Sequence, residues 1–333
     1  MKKQLTFLLL FGFAVAFSQT TFNQTATIDA ANKVLAALNP ELKAQMNLAF
    51  ADKDRQEWSN LPFESVLRKG VRMDSLSEAQ RLLVHELLRT VLSQQGYQKM
   101  LFTMQYDDGI NERMTKAKNP VAHRYGHEHY WLTIFGTPSA TGTWAWQFEG
   151  HHVSINMTHS PKGVSCTPMF TGINPALITE GVHAGEYLLA DENAGGQALF
   201  NSLSKDLKNK ALIDSLPRDV DVMAQKGKEA FLKETKGVSY NDLNTEQKKA
   251  LQKIIKAWVF NMNEDIATDK WARISQSLTY SYVAFMGDGN MEHLHYYRIV
   301  SPAFSIEMTN RDGGIYHLHT LWRDLGEDFG AKY

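Results

Sequence analysis

Apolar residues along this chain repeat with two different periods, and the two periods occupy separate blocks. From about residue 25 to 105 the spacing is helical, from about 129 to 171 it alternates, from 176 to 270 it is helical again, and from 278 to 322 it alternates once more. Strands gathered into two blocks rule out a regular alternation of strand and helix. They predict an α+β fold, a mainly antiparallel β-sheet flanked by helices. At 333 residues and 43% hydrophobic, the chain is long enough for one large core. No internal repeat, low-complexity linker or composition break divides it, so residues 19–333 read as a single domain.

Local signals sharpen the outline. A helical run over Ala30–Leu38 stops before Asn39-Pro40, because the residue before proline is driven out of the helical region. Ser77 followed by Gln80 forms a capping-box pattern, and Leu82, Leu83, Leu87, Leu88, Val91 and Leu92 then recur at helical period. Tyr130 to Phe135 reads as a strand. Trp144 to Met157 reads as a second long one, with a bulge or bend at Gly150. Thr245-Glu246-Gln247 opens an amphipathic helix through Leu251 to Phe260. Late strands are expected at Leu278 to Phe285, Tyr296 to Val300, Phe304 to Met308 and Ile315 to Trp322. Turns are expected at Gly287-Asp288-Gly289-Asn290 and Asp312-Gly313-Gly314.

A net charge of -1 predicts no attraction to nucleic acid or anionic lipid. Lys2 and Lys3, an apolar run from Leu5 to Phe17, and the small residues Ala16 and Ser18 form a signal-peptide pattern over residues 1–18. Cleavage near Ser18-Gln19 would release an exported protein, periplasmic or secreted. No cysteine follows the cleavage point, which argues against a lipid anchor, and no later run is apolar enough for a membrane span. Cys166 is the only cysteine, so an intramolecular disulfide and a cysteine-rich zinc site are excluded. It reads as a small buried hydrophobe rather than a nucleophile.

Histidine carries the chemistry. His317 and His319 stand two apart in the alternating segment Ile315–Asp324, so both imidazoles face one side, with Ile315 and Leu321. Such a pair offers two ligands to a divalent transition metal, with zinc, copper or iron the candidates. It would equally serve as a general base beside a hydrogen-bond donor, or as a hydrogen-bonded structural pair. His151 and His152 are adjacent, and an extended chain would send them to opposite faces; they are the further candidate metal ligands. Glu149 would complete a histidine-plus-carboxylate set as a ligand or base. Arg323 would hold an anionic group through its planar fork. Asp324, directly after it, completes the catalytic candidates. His123, His127, His129, His293 and His295 lie in loop-like segments and read as solvated, and Arg298 is a weaker anion-binding candidate. The G-x-S-x-G, H-E-x-x-H, Walker A and G-x-G-x-x-G motifs are absent, which removes most of the weight from serine hydrolase, zincin and nucleotide-binding readings.

Several strings resemble one family. Phe135-Gly136-x-Pro138, Trp144-x-Trp146-x-Phe148-Glu149-Gly150-His151-His152-x-Ser154-x-Asn156 and Thr167-Pro168-x-Phe170-x-Gly172-x-Asn174-Pro175-Ala176 come first. Tyr296-Tyr297-Arg298-Ile299, His317-x-His319-Thr320-x-Trp322-Arg323-Asp324 and Asp328-Phe329-Gly330 follow in order. Together they resemble the bacterial domain of unknown function 3500 family over most of the chain. That resemblance implies one long domain and a pocket drawn from the motifs, and no activity. Two functions stand open. One is a metal-dependent enzyme, hydrolase or oxidoreductase, acting on a small organic or anionic substrate. The other is a metal-free binding protein whose pocket for a sugar, peptide or small organic ligand is lined by Trp144, Trp146, Tyr296, Tyr297 and Trp322. A purely structural envelope component would instead leave His151 and His317 far apart.

Overall fold

A computed structural model describes residues 22–179, 184–214, 221–222, 235–290, 293–311 and 317–333. The expected signal segment 1–18, the expected turn Asp312-Gly313-Gly314 and Ile315 lie outside the described residues. The described chain is a single α+β unit built on one open, mixed sheet of 13 strands.

The amino-terminal half begins with α1 (Thr25–Ala37) and α2 (Pro40–Met46). Asn39 caps α2 and Pro40 occupies its first turn, where a missing N–H costs nothing. The short β1 (Asn47–Leu48) and β2 (Val71–Arg72) flank an irregular segment. The capping box at Ser77 and Gln80 starts α3 (Glu78–Val91), whose buried stripe is Val84, Leu87, Leu88 and Val91; Leu82 faces solvent. After α4 (Gln94–Lys116) come β3 (Tyr130–Phe135), β4 (Trp144–Gly150), β5 (Val153–Ser160), β6 (Gly163–Ser165) and β7 (Met169–Ile173).

The second half holds α5 (Ala190–Ser202), α6 (Lys205–Ala211), β8 (Leu212–Asp214), β9 (Val238–Ser239), α7 (Thr245–Val259) and α8 (Glu264–Ser277). It closes with β10 (Tyr282–Met286), β11 (His295–Val300), β12 (Phe304–Asn310) and β13 (Leu318–Asp324). The sheet runs β1-β3-β4-β5-β7-β13-β12-β11-β10-β8, with β2, β6 and β9 pairing beside β3, β5 and β10. Pairings along the middle of the sheet are antiparallel; the parallel ones join β1 to β3 and β8 to β10. The join between the two halves is β7 against β13.

Alternation gives the sheet two unlike faces. Leu132, Ile134, Trp146, Phe148, Ile155, Met169, Ile306 and Trp322 point to the helical side and share one core with α1, α3, α5 and α7. The opposite face carries a cross-strand row, Trp131, Glu149, Ser154, Phe170, Leu321, Glu307 and Arg298. This row is polar for much of its length and still buried. Part of its cover comes from irregular chain: Trp58 packs on Phe170, and Val222 joins Phe170, Leu321 and Val300 in a small apolar cluster.

One expectation is corrected here. Trp144 to Met157 is not one bent strand but a hairpin. Gly150 pairs with Val153, so His151-His152 is the whole two-residue connection between β4 and β5.

Candidate metal centre

The hairpin turn and the start of β13 bring three imidazoles to one point. His317 directly precedes β13 and His319 lies within it, and their Nε2 atoms are 3.0 Å apart. His152 has a φ of +61°, a left-handed conformation that histidine tolerates better than most non-glycine residues. Its N–H donates to the Asn60 carbonyl at 3.1 Å, and its own carbonyl accepts from Gly172 N–H at 2.7 Å. Held this way, His152 Nε2 stands 3.1 Å from Nε2 of both His317 and His319.

Those separations suit a shared cation. Metal–nitrogen bonds of about 2.0–2.1 Å at tetrahedral angles place ligand nitrogens about 3.3 Å apart. Without an ion the cluster is poorly matched: each Nε2 of a neutral imidazole is either a donor or an acceptor, so at least two of the three that meet here must be alike. The tautomer of His319 is set from behind. Its Nδ1 donates to Asp221 Oδ1 at 2.7 Å, which turns the Nε2 lone pair inward. Burial works against ionising Asp221. The hydrogen bond and charge of His319, the Val222 N–H and the Arg311 guanidinium nevertheless carry its pKa below the ordinary carboxylate value. Burial lowers the pKa of His319 as well. It drives that of His152 well down, reinforced by His151, His319, His317 and Arg311. Burial thus favours the neutral ring in both, the form a metal requires.

His151 takes a different partner. Its ring stacks on His152, with centroids 3.7 Å apart, and Tyr125 meets it edge-on. Its Nδ1 lies 2.7 Å from Asp107 Oδ1 on α4. Tyr130 Oη donates to the other oxygen of Asp107 at 2.9 Å and approaches the His151 carbonyl at 2.8 Å. Burial raises the Asp107 pKa against the opposing pull of His151 and Tyr130. Adjacent histidines were expected on opposite faces; the turn puts them ring on ring.

The other expected site residues are placed elsewhere. Glu149 is buried on β4, accepts from the Ser59 N–H at 2.9 Å and faces Arg68 at 3.6 Å; it is not among the donors that converge. Arg323 lies on the same strand face as His319 but four residues on, about 13 Å along an extended chain. Its Nε donates to Asp328 at 2.7 Å. Asp324 pairs with Arg273. Arg298 is buried opposite Glu307, which also accepts from Tyr296. Trp144, Trp146, Tyr296, Tyr297 and Trp322 are at most 1% exposed and pack the interior. His127 and His293 pair with Asp108 and Asp288 at the surface, His129 lies against Phe63, and His123 pairs with Glu64. His295 is buried and its pKa falls to about 4 through desolvation. Cys166 is buried, and burial pushes its thiol up to about 12.

Sequence reasoning missed Asp221, Asp107 and Arg311. Asp107 had a readable signal, because it falls on the buried stripe of α4 with Tyr97, Met100, Met104 and Ile110, where a carboxylate needs a partner. Asp221 had none.

Among the described residues no helix is long and apolar enough to cross a membrane. The family model described as protein of unknown function (DUF3500) matches residues 20–331, and the chain belongs to that family. Comparison with curated proteins and with solved structures gives no match.

Proposed function

We propose that this protein is an exported, metal-dependent enzyme whose His152, His317 and His319 hold one divalent transition ion, zinc by first choice, and that its reaction is a hydrolysis. The observation that supports this reading is the meeting of three Nε2 atoms at 3.0–3.1 Å, one of them fixed by a carboxylate behind its ring. Three neutral nitrogen donors leave the charge of the ion uncompensated and one coordination position open, the arrangement that activates water near neutral pH. Copper or iron would move the chemistry toward oxidation, and metal content separates these cases. Arg311, rather than Arg323, is the cation beside this site: its Nη1 is 3.5 Å from Asp221, its Nε has no hydrogen-bond partner, and its side chain is one-third exposed. It suits a substrate with an anionic group.

The test is elemental analysis of Gln19–Tyr333, purified without a histidine tag, beside His319→Ala and Asp221→Ala. Near-stoichiometric metal in the wild type, lost in His319→Ala and bound about 10- to 100-fold more weakly in Asp221→Ala, is expected. A wild-type protein that stays metal-free after incubation with zinc, copper, iron, manganese and nickel salts would overturn the reading. Export is tested by the N-terminal residue of protein recovered outside the cytoplasm, expected to be Gln19.

A further inference from the structure

A cavity of about 380 Å³ opens on the sheet face that carries His319 and needs no metal. Small-molecule sites span about 300–1,000 Å³, so it is of ligand size. Gln147 and Glu149 of β4 contribute to it from the sheet, with Trp58, Arg68, Thr133 and Asp54 around them.

Arg68 is the unusual member. Its side chain is 1% exposed. Nη2 donates to the carbonyls of Ser59 at 2.9 Å and Leu61 at 2.5 Å, and the guanidinium lies over Trp131. Nε and Nη1 are buried with no hydrogen-bond partner. The Glu149 carboxylate stands 3.6 Å from Nε, too far for a hydrogen bond and near enough for an intervening atom to touch both. Buried guanidinium N–H groups left unmet are costly, so this gap asks for an acceptor.

The surrounding charges decide which acceptor. A carboxylate or phosphate would meet Glu149, Asp54 and Glu57 as well as Arg68. Lys69, the other cation of the cavity, is already paired with Asp54. A hydroxyl group avoids the conflict, because it accepts from the arginine while donating to the carboxylate. The half-buried Trp58 ring supplies an apolar wall for the carbon skeleton.

We propose that this cavity binds a neutral sugar, with neighbouring hydroxyls bridging Arg68 and Glu149 and one carbon face against Trp58. Trp58 also packs on Phe170, which meets the His319 ring edge-on at 5.1 Å, so the two sites share a wall. The proposal stands without the metal.

The experiment is saturation-transfer NMR followed by calorimetry on Gln19–Tyr333, with and without EDTA. The probes are the methyl glycosides of glucose, galactose, mannose and N-acetylglucosamine, with glucuronate as the anionic comparison. The expected result is binding of at least one neutral glycoside that persists in EDTA and in His319→Ala and weakens at least tenfold in Arg68→Met and in Trp58→Ala. Trp58 is partly exposed, so its variant keeps the test decisive if Arg68→Met fails to fold. The proposal is overturned if none of the four glycosides binds, if glucuronate binds more tightly than all of them, or if Trp58→Ala leaves binding unchanged. Loss of sugar binding in His319→Ala with Trp58→Ala unaffected would also overturn it, by placing the sugar at the metal centre.

Discussion

Gly172 lies against the rings of both His152 and His319. A β-carbon at this position would stand 3.0 Å from Cδ2 of His152 and 3.1 Å from Cδ2 of His319. Gly172 is the register partner of His319, and its N–H holds the carbonyl of His152. One residue without a side chain thus sets the spacing of two rings and fixes the turn that presents one of them.

Enlarging Gly172 should therefore act on the metal site before it acts on the fold. In Gly172→Ala the new methyl also meets the Leu318 carbonyl at 3.1 Å, so the rings must give by a few tenths of an ångström. Metal affinity should fall about tenfold, in line with other disturbances behind a ligand, with about 1–3 kcal/mol of stability lost. Gly172→Val should abolish binding. A competition titration with a chromophoric chelator reads both, and wild-type affinity in the valine variant would show that the rings are not crowded.

Asp107 is a buried carboxylate with two hydrogen-bond partners, His151 and Tyr130. Asp107→Ala should lower unfolding stability by about 1.5–3 kcal/mol, the range for hydrogen bonds to a charged group. Asp107→Asn, which keeps an acceptor oxygen, should lose less than half of that. Urea denaturation followed by tryptophan fluorescence measures the order of the two variants.

Lys270 and Glu327 form a buried ion pair at 2.5 Å, with Arg273 and Lys332 also on Glu327. Removing one partner of a buried pair costs about 3–5 kcal/mol. The remaining cations should hold Lys270→Met near the lower end of that range. A variant as stable as wild type would mean that Arg273 and Lys332 neutralise Glu327 unaided.

The same cluster makes stability depend on pH with two opposing signs. Burial holds the Asp324 pKa up at about 6, although Arg273 pulls it down. The unfolded chain takes that proton only near pH 4. Between these values the native state binds more protons, so this group adds stability as pH falls from about 6 to 4. Glu327 behaves in the opposite way. Its cations overcome desolvation and lower it to about 2, so its contribution is present above the ordinary carboxylate range and lost as pH falls toward 2. Asp324→Asn removes the first effect alone. The stability of wild type relative to this variant should rise between pH 6.5 and 4.5, as read by chemical denaturation at the two pH values.

The sequence made part of this legible and hid part of it for physical reasons. Helix starts were readable because capping is local: Ser77 and Gln80 sit three residues apart and bind each other. The shared face of His317 and His319 was readable because strand alternation is local too. The His151-His152 turn was not, since two-residue hairpin loops are ordinarily marked by glycine or asparagine and two histidines inside an alternating run look like strand. Arg323 and Asp324 looked like a site mouth from their closeness to His319 in sequence. Extended chain turns four residues into about 13 Å, and nearer charges, Asp328 and Arg273, claim them first. The partner carboxylate of His319 comes from 98 residues away, a pairing that no local pattern encodes.

The positions joined by the triad, His152 and His317, are separated by 165 residues. No fragment of this chain owns the site. A piece ending with β12 carries one of the three donors, and a piece starting after β7 carries the other two. Only closure of the sheet across that join assembles the set. An ion bound there would be a clasp across a loop of 165 residues, drawing its stabilisation from the native state alone. Metal occupancy would then report on the completeness of the fold.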